Sequence, residues 1–474
     1  MINLSNYIGN FKKNIISNRT INICDFNNNI IAKAPDLSSW ELTRTFHTAR
    51  KGTKSIIKTT IEDIFEVFVE ASKIYKKRSD YDELISLSRG NPISSVIESR
   101  FIISKMLSNF NLIIDENFLV KNFTGKIKRK DYHTNFFPVG LVGLVSSSTT
   151  REVTPYAALN ALSMKNSLII KSDTKEPFSS IELVENLIHA GLPENSLSVI
   201  TINSNNMPDL GYKLYNNTNK LIVFGSDESI RKIAYFQLSN KLNMNDISNL
   251  PLPNDIIFYG TGRSKSIVDK SADINKAAYE ILLSAFELPA LCLKSQFAIV
   301  DNSIYENFVD ECSETASRFK VGNLLDKKTQ VGHVHPEYIS IANSMIENTL
   351  NLGGILITGG EITSSIVQPI IIKDLPIKSD IFKEECYAPL LGIIPSKSID
   401  HTIKLLNESV NHTINKTSLK ISYYGESKEN FDRIITEVKG NEFSMNRRTT
   451  EINPLIPHQG IYLAKKLTNI AMVN

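Results

Sequence analysis

The run VGLVGLV at residues 139–145 is short, apolar and rich in β-branched residues, which predicts a buried β-strand. A helical pattern follows at residues 153–164, and a second apolar run, SLIIK, occupies residues 167–171. Two more runs, LSVIT at 197–201 and KLIVF at 220–224, continue the alternation. Because strand and helix alternate every 25–30 residues or so, the region predicts βαβ units in a parallel sheet, and therefore an α/β fold.

A second α/β series occupies the C-terminal half of the chain. Short apolar runs predict strands at residues 256–259, 297–301, 355–358, 370–373, 391–394 and 419–423. Helical patterns lie between most of them, at residues 273–286, 302–319, 336–352, 400–411 and 427–438. Two doubly wound α/β domains are therefore expected, and a parallel sheet of this kind places its ligand crevice at the carboxyl ends of its strands.

The composition is that of an ordinary globular protein. Of the 474 residues, 42% are hydrophobic and 22% are charged, which excludes a disordered chain. The 53 basic and 50 acidic residues give a net charge of +3, and this near balance offers no electrostatic reason to expect a nucleic acid partner. No apolar run reaches the roughly 18 residues needed to span a membrane, and residues 1–30 lack the apolar core of a signal peptide.

The spacing of the cysteines and histidines argues against a disulfide scaffold and against a metal site. The four cysteines are Cys24, Cys292, Cys312 and Cys386. They are widely spaced and form no CxxC pair, so we expect a reduced, cytoplasmic protein and not a disulfide scaffold. His333 and His335 have no companions at metal-ligand spacing, so no metal site is expected. The chain also contains no GxxxxGK(S/T) phosphate loop, no HExxH and no GxSxG.

The segment SAFELPALCLKS at residues 284–295 contains a candidate nucleophile. Cys292 lies there between a predicted helix that ends near Phe286 and a strand predicted from Phe297. On such a loop a cysteine can face a cleft as a thiolate nucleophile. A lone cysteine among apolar residues is more often part of the core, so this segment by itself leaves both interpretations open.

The surroundings of Cys292 resemble the aldehyde dehydrogenase superfamily, and the resemblance extends from about residue 40 to residue 474. The matching segments, in the family's order, are PVGLVG (138–143), NSLIIKSDT (166–174), AGLP (190–193), FGS (224–226), SADINKA (271–277), the step from Phe286 to Cys292, EECYAP (384–389) and residues 454–460. The resemblance implies one doubly wound α/β domain that binds a nicotinamide cofactor, a second that carries a nucleophilic cysteine, and a small bridging element.

The resemblance also implies boundaries for these parts. The cofactor-binding domain comprises residues 1–121 and 137–256, and the catalytic domain comprises residues 257–440. Residues 122–136 and 441–474 form the bridging element, through which family members generally pair. A homodimer or a tetramer is therefore expected.

Covalent chemistry at Cys292 is the next implication of the resemblance. The thiolate attacks the carbonyl carbon of a small-molecule aldehyde, and the resulting thiohemiacetal passes a hydride to the cofactor and leaves a thioester; in reverse, an acyl thioester is reduced. The backbone N–H of Cys292 would stabilise the oxyanion. The family's second donor, an asparagine, is missing from the corresponding stretch SSSTTRE at residues 146–152, where Thr149 or Thr150 could donate a hydroxyl.

A second departure from the family pattern concerns the release of the thioester. Hydrolytic members carry a glutamate that activates water, and the corresponding residue here is Tyr259, a poor base because a phenol has a pKa of about 10. Without a base the thioester persists until another thiol accepts it, which is the chemistry of the acylating branch that uses coenzyme A. Within that branch the chain is most similar to acyl-thioester reductases.

Two alternatives stay open at this point. Another carboxylate, such as Glu287, could supply the base, and the protein would then be a hydrolytic aldehyde dehydrogenase that produces a free acid. The missing asparagine and glutamate also leave room for a catalytically inactive family member that serves as a binding subunit.

The cofactor-binding residues that the resemblance implies are Lys171, Thr174, Gly225, Ser226, Glu385 and Tyr387. Many members that use NAD carry a glutamate in place of Thr174, and its charge repels a 2′-phosphate. The absence of that charge beside Lys171 favours NADP over NAD, although Asp173 could restore the preference for NAD.

Overall fold

The computed structural model of the protein describes residues 2–13, 19–118, 126–128, 133–239, 250–411, 414–453 and 457–473. The chain divides into two compact units. Unit 1 comprises Met1–Ser88, Ile97–Tyr259 and Asn453–Asn474, and unit 2 comprises Arg89–Val96 and Gly260–Ile452. Residues 122–125, 129–132 and 454–456, on which parts of the sequence interpretation fall, lie outside the described residues. The bridging element therefore stays a prediction.

The strands are, in chain order, β1 (Ile2–Asn3), β2 (Asn6–Ile8), β3 (Phe11–Lys13), β4 (Thr20–Cys24), β5 (Ile30–Pro35), β6 (Lys126–Lys128), β7 (His133–Pro138), β8 (Leu141–Val145), β9 (Ser167–Lys171), β10 (Leu197–Ile200), β11 (Lys220–Phe224), β12 (Ile256–Tyr259), β13 (Lys265–Val268), β14 (Phe297–Asp301), β15 (Ile355–Thr358), β16 (Ile370–Lys373), β17 (Leu390–Ser396), β18 (Ser418–Tyr424), β19 (Gly440–Met445) and β20 (Thr468–Val473).

The described helices are, in chain order, α1 (Ser39–Ile56), α2 (Ile61–Lys77), α3 (Asp82–Arg89), α4 (Ile93–Ser108), α5 (Phe110–Phe118), α6 (Val153–Ser163), α7 (Phe178–His189), α8 (Leu210–Asn217), α9 (Asp227–Ala234), α10 (Phe236–Ser239), α11 (Ile274–Phe286), α12 (Tyr305–Ser317), α13 (Pro336–Asn351), α14 (Asp380–Lys383), α15 (Ile399–Glu408), α16 (Lys428–Glu437) and α17 (Leu463–Lys466).

The main sheet of unit 1 has the strand order β12-β11-β8-β9-β10-β2-β3. Its first five strands are parallel, and they lie within a residue or two of the apolar runs that predicted them. The order reverses at β8, which has β9 and β10 on one side and β11 and β12 on the other. A doubly wound sheet forms its ligand crevice at such a reversal, outside the carboxyl ends of the strands.

A hairpin that the sequence did not predict extends this sheet. Strand β2 pairs antiparallel with β10, and β3 pairs antiparallel with β2. The turn between them is Gly9–Asn10, where both residues have positive φ angles of 63° and 74°, as a tight two-residue hairpin turn requires. The strands are only three residues long and rich in asparagine and lysine, so they carry no apolar periodicity that could have indicated them.

Two small sheets complete the strands of unit 1. One has the order β1-β5-β4, and the other has the order β20-β7-β6. Strand β20 pairs antiparallel with the full length of β7, from Thr468 opposite Pro138 to Val473 opposite His133. The sequence predicted this last strand at residues 467–473.

The first helices of unit 1 begin at side-chain caps that the sequence encodes. Before α1, the Ser38 hydroxyl accepts a hydrogen bond from the N–H of Glu41 (3.3 Å), and the Glu41 carboxylate accepts one from the N–H of Ser38 (2.8 Å). Thr60 and Asp63 form the same reciprocal pair before α2. Each capping box satisfies two N–H groups that the helix itself leaves without acceptors, and so defines where the helix begins.

The main sheet of unit 2 has the order β15-β16-β17-β14-β13-β18-β19 and is parallel except for β15. Strand β14 is buried on both faces: Phe297 and Ile299 contribute to one apolar cluster, and Ala298 and Val300 to the other. This double burial explains why the strand was visible in the sequence as a continuous apolar run.

Strand β13 was missed in the sequence because its first half is polar. Lys265 and Ser266 are both buried, and the Lys265 ammonium donates to the carbonyl of Arg263 (2.7 Å) and to the Ser418 hydroxyl (2.8 Å). A buried lysine that finds its acceptors inside the protein interrupts the apolar pattern without interrupting the strand.

Two features are absent from the described part of the chain. Each of its helices is too short or too polar to cross a lipid bilayer. The same residues bring together no group of three or more His, Cys, Asp or Glu side chains that could hold a metal ion.

Candidate functional site

Cys292 lies in the loop between α11 and β14 of unit 2, and the residue as a whole is partly exposed. A turn in which the N–H of Lys294 donates to the carbonyl of Leu291 (2.9 Å) shapes this loop. Leu291 and Leu293, on either side of Cys292, are buried in one apolar cluster with Leu419. The loop is therefore anchored on both sides of the cysteine.

Gly262, in the loop before β13, lies directly against the backbone of Cys292. A Cβ atom on Gly262 would be 1.7 Å from the carbonyl oxygen of Cys292 and 2.9 Å from its Cα atom. The carbonyl of Gly262 accepts a hydrogen bond from the N–H of Leu419 (2.7 Å), and the Ser264 hydroxyl donates to the Cys292 carbonyl (3.1 Å). Only glycine permits this approach of the two loops.

The same glycine connects Cys292 with Glu385. The Glu385 carboxylate accepts hydrogen bonds from the backbone N–H groups of Gly262 and Arg263, both at 2.7 Å. Its second oxygen accepts one from the Tyr387 hydroxyl at 3.0 Å. Unit 2 therefore brings together Cys292, Glu385 and Tyr387, which the sequence singled out. The first and the last of them are 95 positions apart in the sequence.

The electrostatic environment keeps the Cys292 thiol protonated. Burial of its sulfur raises the pKa of Cys292 well above its usual value, and the carboxylates of Glu385 and Glu442 raise it further. Burial also raises the pKa of Cys386, the other cysteine of this region. A thiolate is the attacking species, so Cys292 needs a change in this field before it can react.

These residues gather at the amino ends of the parallel strands and not at the carboxyl ends. Gly262 precedes β13, Cys292 precedes β14, and Glu385 precedes β17. In unit 2 the candidate residues therefore lie at the opposite ends of the strands from those that the sequence pattern favours for a ligand. The reason is that the segments before β13, β14 and β17 hydrogen-bond to one another, whereas strand patterns predict only the strands themselves.

Lys294 is a residue of this region that the sequence interpretation passed over. Its ammonium is buried and donates to the carbonyl of Cys386 at 2.7 Å, and Gln296 accepts from it at 3.4 Å. Burial lowers the pKa of Lys294 to about 8. No periodicity or motif indicates such a lysine, because only the folded chain brings the carbonyl of residue 386 to it.

Replacing Lys294 with methionine will change how stability depends on pH. An unfolded lysine has a pKa of roughly 10.4, so between pH 8 and that value the unfolded chain binds more protons than the folded one, and the free energy of unfolding rises with pH. Lys294→Met removes this rise. From about pH 7.5 to about pH 9.5, urea unfolding should show the wild type gaining about 2 kcal/mol relative to the variant.

The control for that comparison is Lys404→Met, which removes an exposed lysine from α15. Its unfolding free energy should follow the wild type across the same pH range. Parallel curves for the wild type and Lys294→Met would contradict a depressed pKa at Lys294.

The cofactor residues expected in unit 1 lie at the carboxyl ends of its parallel strands. Lys171 ends β9, and Gly225 and Ser226 follow β11 directly. The Ser226 hydroxyl accepts from the N–H of Ser229 (3.2 Å) and caps α9, while the N–H of Gly225 donates to the carbonyl of Tyr259 (3.2 Å). The sheet therefore presents these residues at the edge where a doubly wound fold binds nucleotides.

The charges of this edge differ from strand to strand, with a lysine at the end of β9 and two acidic residues at the start of α9. Lys171 forms no ion pair with any residue in the described ranges, and burial lowers its pKa. Thr174 is partly buried nearby in sequence. The first turn of α9 carries Asp227 and Glu228, whose charges oppose a phosphate at that helix start. The roles of Lys171 and Thr174 in cofactor binding stay predictions.

The two threonines proposed as oxyanion donors are held differently. The hydroxyls of Thr149 and Ser147 share a hydrogen bond at 3.1 Å, and Thr149 is partly exposed. Thr150 is buried, and its hydroxyl donates to the carboxylate of Glu152. The Thr150 proton is therefore already engaged, whereas the Thr149 hydroxyl can either donate or accept in its bond with Ser147.

Tyr259 ends β12 inside a stack of rings in unit 1. Its ring lies 4.7 Å from that of Phe224 and 5.5 Å from that of His458, centre to centre, and nearly parallel to both. Its hydroxyl is buried without a hydrogen-bond partner among the described residues. Burial raises its pKa well above the ordinary value for tyrosine. Tyr259 therefore cannot act as a general base near neutral pH.

Removing the Tyr259 hydroxyl should cost little. In Tyr259→Phe the ring stack is kept and a buried hydroxyl without a partner is lost, so we expect stability to rise by up to about 1 kcal/mol. The kcat/KM for aldehyde should stay within about threefold of the wild type, with the same pH profile. A fall of tenfold or more would show that the hydroxyl carries a proton in the reaction.

The carboxylate of Glu287, the alternative base, contacts the side chains of Ser95 and Arg448 within unit 2. Its carboxylate accepts a hydrogen bond from the Ser95 hydroxyl at 2.6 Å and lies 3.6 Å from the guanidinium of Arg448. Both contacts hold the carboxylate in place. To activate a water molecule it would have to leave at least one of them.

Comparison with known proteins places the chain in a family. The profile of the aldehyde dehydrogenase family matches residues 15–464. The lactaldehyde dehydrogenase of Methanocaldococcus jannaschii is 24% identical over 382 residues, which cover 77% of this chain and 76% of that protein.

Solved structures show the same fold. The NAD-dependent aldehyde dehydrogenase of Sinorhizobium meliloti has a TM-score of 0.85 at 15% identity and covers 99% of this chain and 94% of its own. The glyceraldehyde-3-phosphate dehydrogenase of M. jannaschii, solved with NADP, has a TM-score of 0.83 at 19% identity and covers 96% of this chain and 99% of its own.

Fold, site and profile agree on the class of protein, an NAD(P)-dependent oxidoreductase that acts on aldehydes. The chain belongs to the aldehyde dehydrogenase family.

Proposed function

We propose that this protein oxidises an aldehyde through a thioester on Cys292, and that a thiol such as coenzyme A accepts the acyl group. One observation carries the second part of the proposal: a buried tyrosine, with a raised pKa and stacked between two rings, stands where hydrolytic relatives are expected to carry a water-activating glutamate. A thioester that no base attacks through water survives long enough to exchange with a second thiol.

The chain's own residues account for the covalent steps. The Cys292 sulfur forms a bond to the carbonyl carbon, and the developing oxyanion is stabilised by the backbone N–H of Cys292 and a second donor, for which Thr149 is the candidate. The nicotinamide cofactor supplies the acceptor for the hydride that leaves this carbon. The incoming thiolate then attacks the thioester carbon, and Cys292 leaves as a thiolate that takes up a proton.

Glu385 links cofactor binding to the reactivity of Cys292 in this proposal. Its carboxylate is bound by two backbone N–H groups beside Cys292, and its charge raises the pKa of that thiol. If Glu385 turns to bind a ribose hydroxyl, one source of negative charge moves away from the sulfur. The pKa of Cys292 then falls, and the nucleophile becomes reactive when the hydride acceptor is bound.

The absence of an acidic residue at position 174 supports NADP as the preferred cofactor. Thr174 offers a neutral hydroxyl, and Lys171 offers a positive charge at the same edge of the sheet. A 2′-phosphate would meet no negative charge from Thr174 or Lys171, whereas the negative charge of Asp173 would repel it.

The test is an assay of purified protein with an aldehyde panel, NAD or NADP, and coenzyme A present or omitted. The proposal expects a burst of reduced cofactor that stops near one equivalent per Cys292 without coenzyme A and continues to turn over when it is added. A Cys292→Ser preparation made in parallel controls for contaminating activity. Continuous turnover to free acid without any thiol would overturn the acylating part of the proposal.

A hydrolytic dehydrogenase is the second candidate function. It is favoured by Glu287, a carboxylate five residues before Cys292 on the same loop, as counted along the sequence. In that case Glu287→Gln should slow the release of free acid by at least tenfold or so, while leaving the first equivalent of reduced cofactor unchanged. The inactive-subunit alternative predicts neither a burst nor rapid labelling of Cys292 by iodoacetamide.

A further inference from the structure

A cavity of about 260 Å³ lies in unit 1 at the outer edge of the main sheet. The β2–β3 hairpin, residues 35–37 and the first turns of α1 form its walls. The lining residues that matter for its chemistry are Asn6, Phe11, Lys13, Asp36, Trp40 and Arg44. None of these residues takes part in the candidate site described above, so the cavity is a separate feature of the protein.

One wall of the cavity is aromatic and cationic. Trp40 is 65% exposed, and the guanidinium carbon of Arg44, one helical turn later, lies 4.7 Å from the centre of its indole ring. Phe11, on the hairpin, is 49% exposed. Two large aromatic side chains that line one cavity and remain accessible offer stacking faces for a flat ligand.

Two cations and two carboxylates line the cavity, and they differ in their partners. Lys13 and Arg44 form no ion pair with any residue in the described ranges. The acidic lining residues, by contrast, are occupied. Asp36 accepts hydrogen bonds from Arg19 (2.8 Å), the N–H of Asn203 (2.9 Å) and the Asn206 side chain (2.7 Å).

Glu41 is the other carboxylate of the lining, and the cap of α1 engages it. It accepts hydrogen bonds from the N–H and the hydroxyl of Ser38, at 2.8 Å and 2.7 Å. Both carboxylates therefore already have donors within the protein, although Glu41 keeps its negative charge, whereas the two cations have no carboxylate partner among the described residues and can meet an anion.

A buried amide supplies a further donor. Asn6 is only 2% exposed, and its carbonyl oxygen accepts from the N–H and the hydroxyl of Thr201, at 2.8 Å and 2.9 Å. Its amide nitrogen has no acceptor among the described residues. A buried N–H group without an acceptor costs stability, so this wall of the cavity contains an unsatisfied donor.

We propose that this cavity binds a small aromatic carboxylate. The ring packs against Trp40 and Phe11, and the carboxylate meets the cations of Arg44 and Lys13. The volume suits one ring with a short acidic side chain, since sites for larger organic ligands occupy about 300–1,000 Å³. The inference does not depend on the function proposed for Cys292.

The protein carries its own reporter for the test, because Trp40 is the single tryptophan of the chain. Benzoate is titrated into the protein while tryptophan fluorescence is followed, with benzyl alcohol and acetate as ligands that have only the ring or only the charge. We expect a saturable change with benzoate and no saturation with either partial ligand at the same concentrations.

Two exposed substitutions separate a real site from quenching in solution. Arg44→Gln removes the stacked cation and should weaken benzoate binding at least about tenfold, taken from the midpoint of the titration. Lys54→Gln removes a lysine of the same helix that does not line the cavity and should leave the midpoint within about twofold. A linear, unsaturable response to benzoate, an equal response to benzyl alcohol, or an unchanged midpoint in Arg44→Gln would each overturn the proposal.

Discussion

The Cys292→Ser variant will lose at least about a thousandfold of the aldehyde-dependent reduction of the cofactor, because a serine hydroxyl is a far weaker nucleophile than a thiolate. The structure allows this substitution to test the sulfur atom alone. Cys292 sits in a loop anchored by Leu291 and Leu293, so the substitution exchanges sulfur for oxygen without loss of packing around it. Stability measured by urea unfolding should therefore stay close to that of the wild type.

Cys386→Ser is the matched control for this prediction. Cys386 is buried in the segment that carries Glu385, and its carbonyl, not its sulfur, accepts the hydrogen bond from Lys294. Its replacement should leave kcat/KM within about threefold of the wild type. Full activity in Cys292→Ser, or a larger loss in Cys386→Ser than in Cys292→Ser, would end the assignment of Cys292 as nucleophile.

The Gly262→Ala variant will lose about a hundredfold in kcat/KM, although it changes no group that contacts the substrate in the proposed reaction. The added methyl would stand 1.7 Å from the carbonyl oxygen of Cys292, a distance that no pair of non-bonded atoms tolerates. The loop before β13 and the loop that carries Cys292 must therefore separate, and a displacement of about 1 Å is enough to misalign a nucleophile.

The loss in Gly262→Ala should come with a measurable change at Cys292 itself. The rate of alkylation of this thiol by iodoacetamide should change, because the hydrogen bonds from Gly262 and Arg263 to Glu385 are disturbed in the same movement. Gly360→Ala is the control, since a Cβ atom there meets nothing within 4 Å. Wild-type kcat/KM in Gly262→Ala would show that the loop is free to move without consequence.

The strands of both main sheets are the part of the fold that the sequence predicted best. The runs at residues 167–171, 220–224, 256–259 and 297–301 coincide with β9, β11, β12 and β14. Their side chains are almost entirely buried, so the apolar pattern and the structure report the same property. Strand β13 and the β2–β3 hairpin were missed because buried polar residues or very short strands leave no apolar pattern in the sequence.

The candidate site was predictable only where a motif is contiguous. Cys292 and the segment 384–389 were identified from residues that stand next to one another in the sequence. Three other features could not be identified in this way: the hydrogen bond from Lys294 to Cys386, the contact of Gly262 with Cys292, and the charge of Glu385 near the Cys292 sulfur. Each depends on residues more than 25 positions apart in the sequence. Resemblance to a family supplies motifs, but it does not supply these contacts.

What the sequence determined by itself is the α/β alternation, the family and the identity of the residues available for chemistry, including the tyrosine at position 259. These follow from local patterns, since burial of a strand and the spacing of a motif are properties of neighbouring residues. The tertiary structure alone decided that the residues around Cys292 meet at the amino ends of the unit 2 strands, that Tyr259 is stacked with its hydroxyl unpartnered among the described residues, and that burial raises the pKa of the Cys292 thiol. Proton affinity and close approach depend on what surrounds an atom in space, and only the folded chain brings those surroundings together.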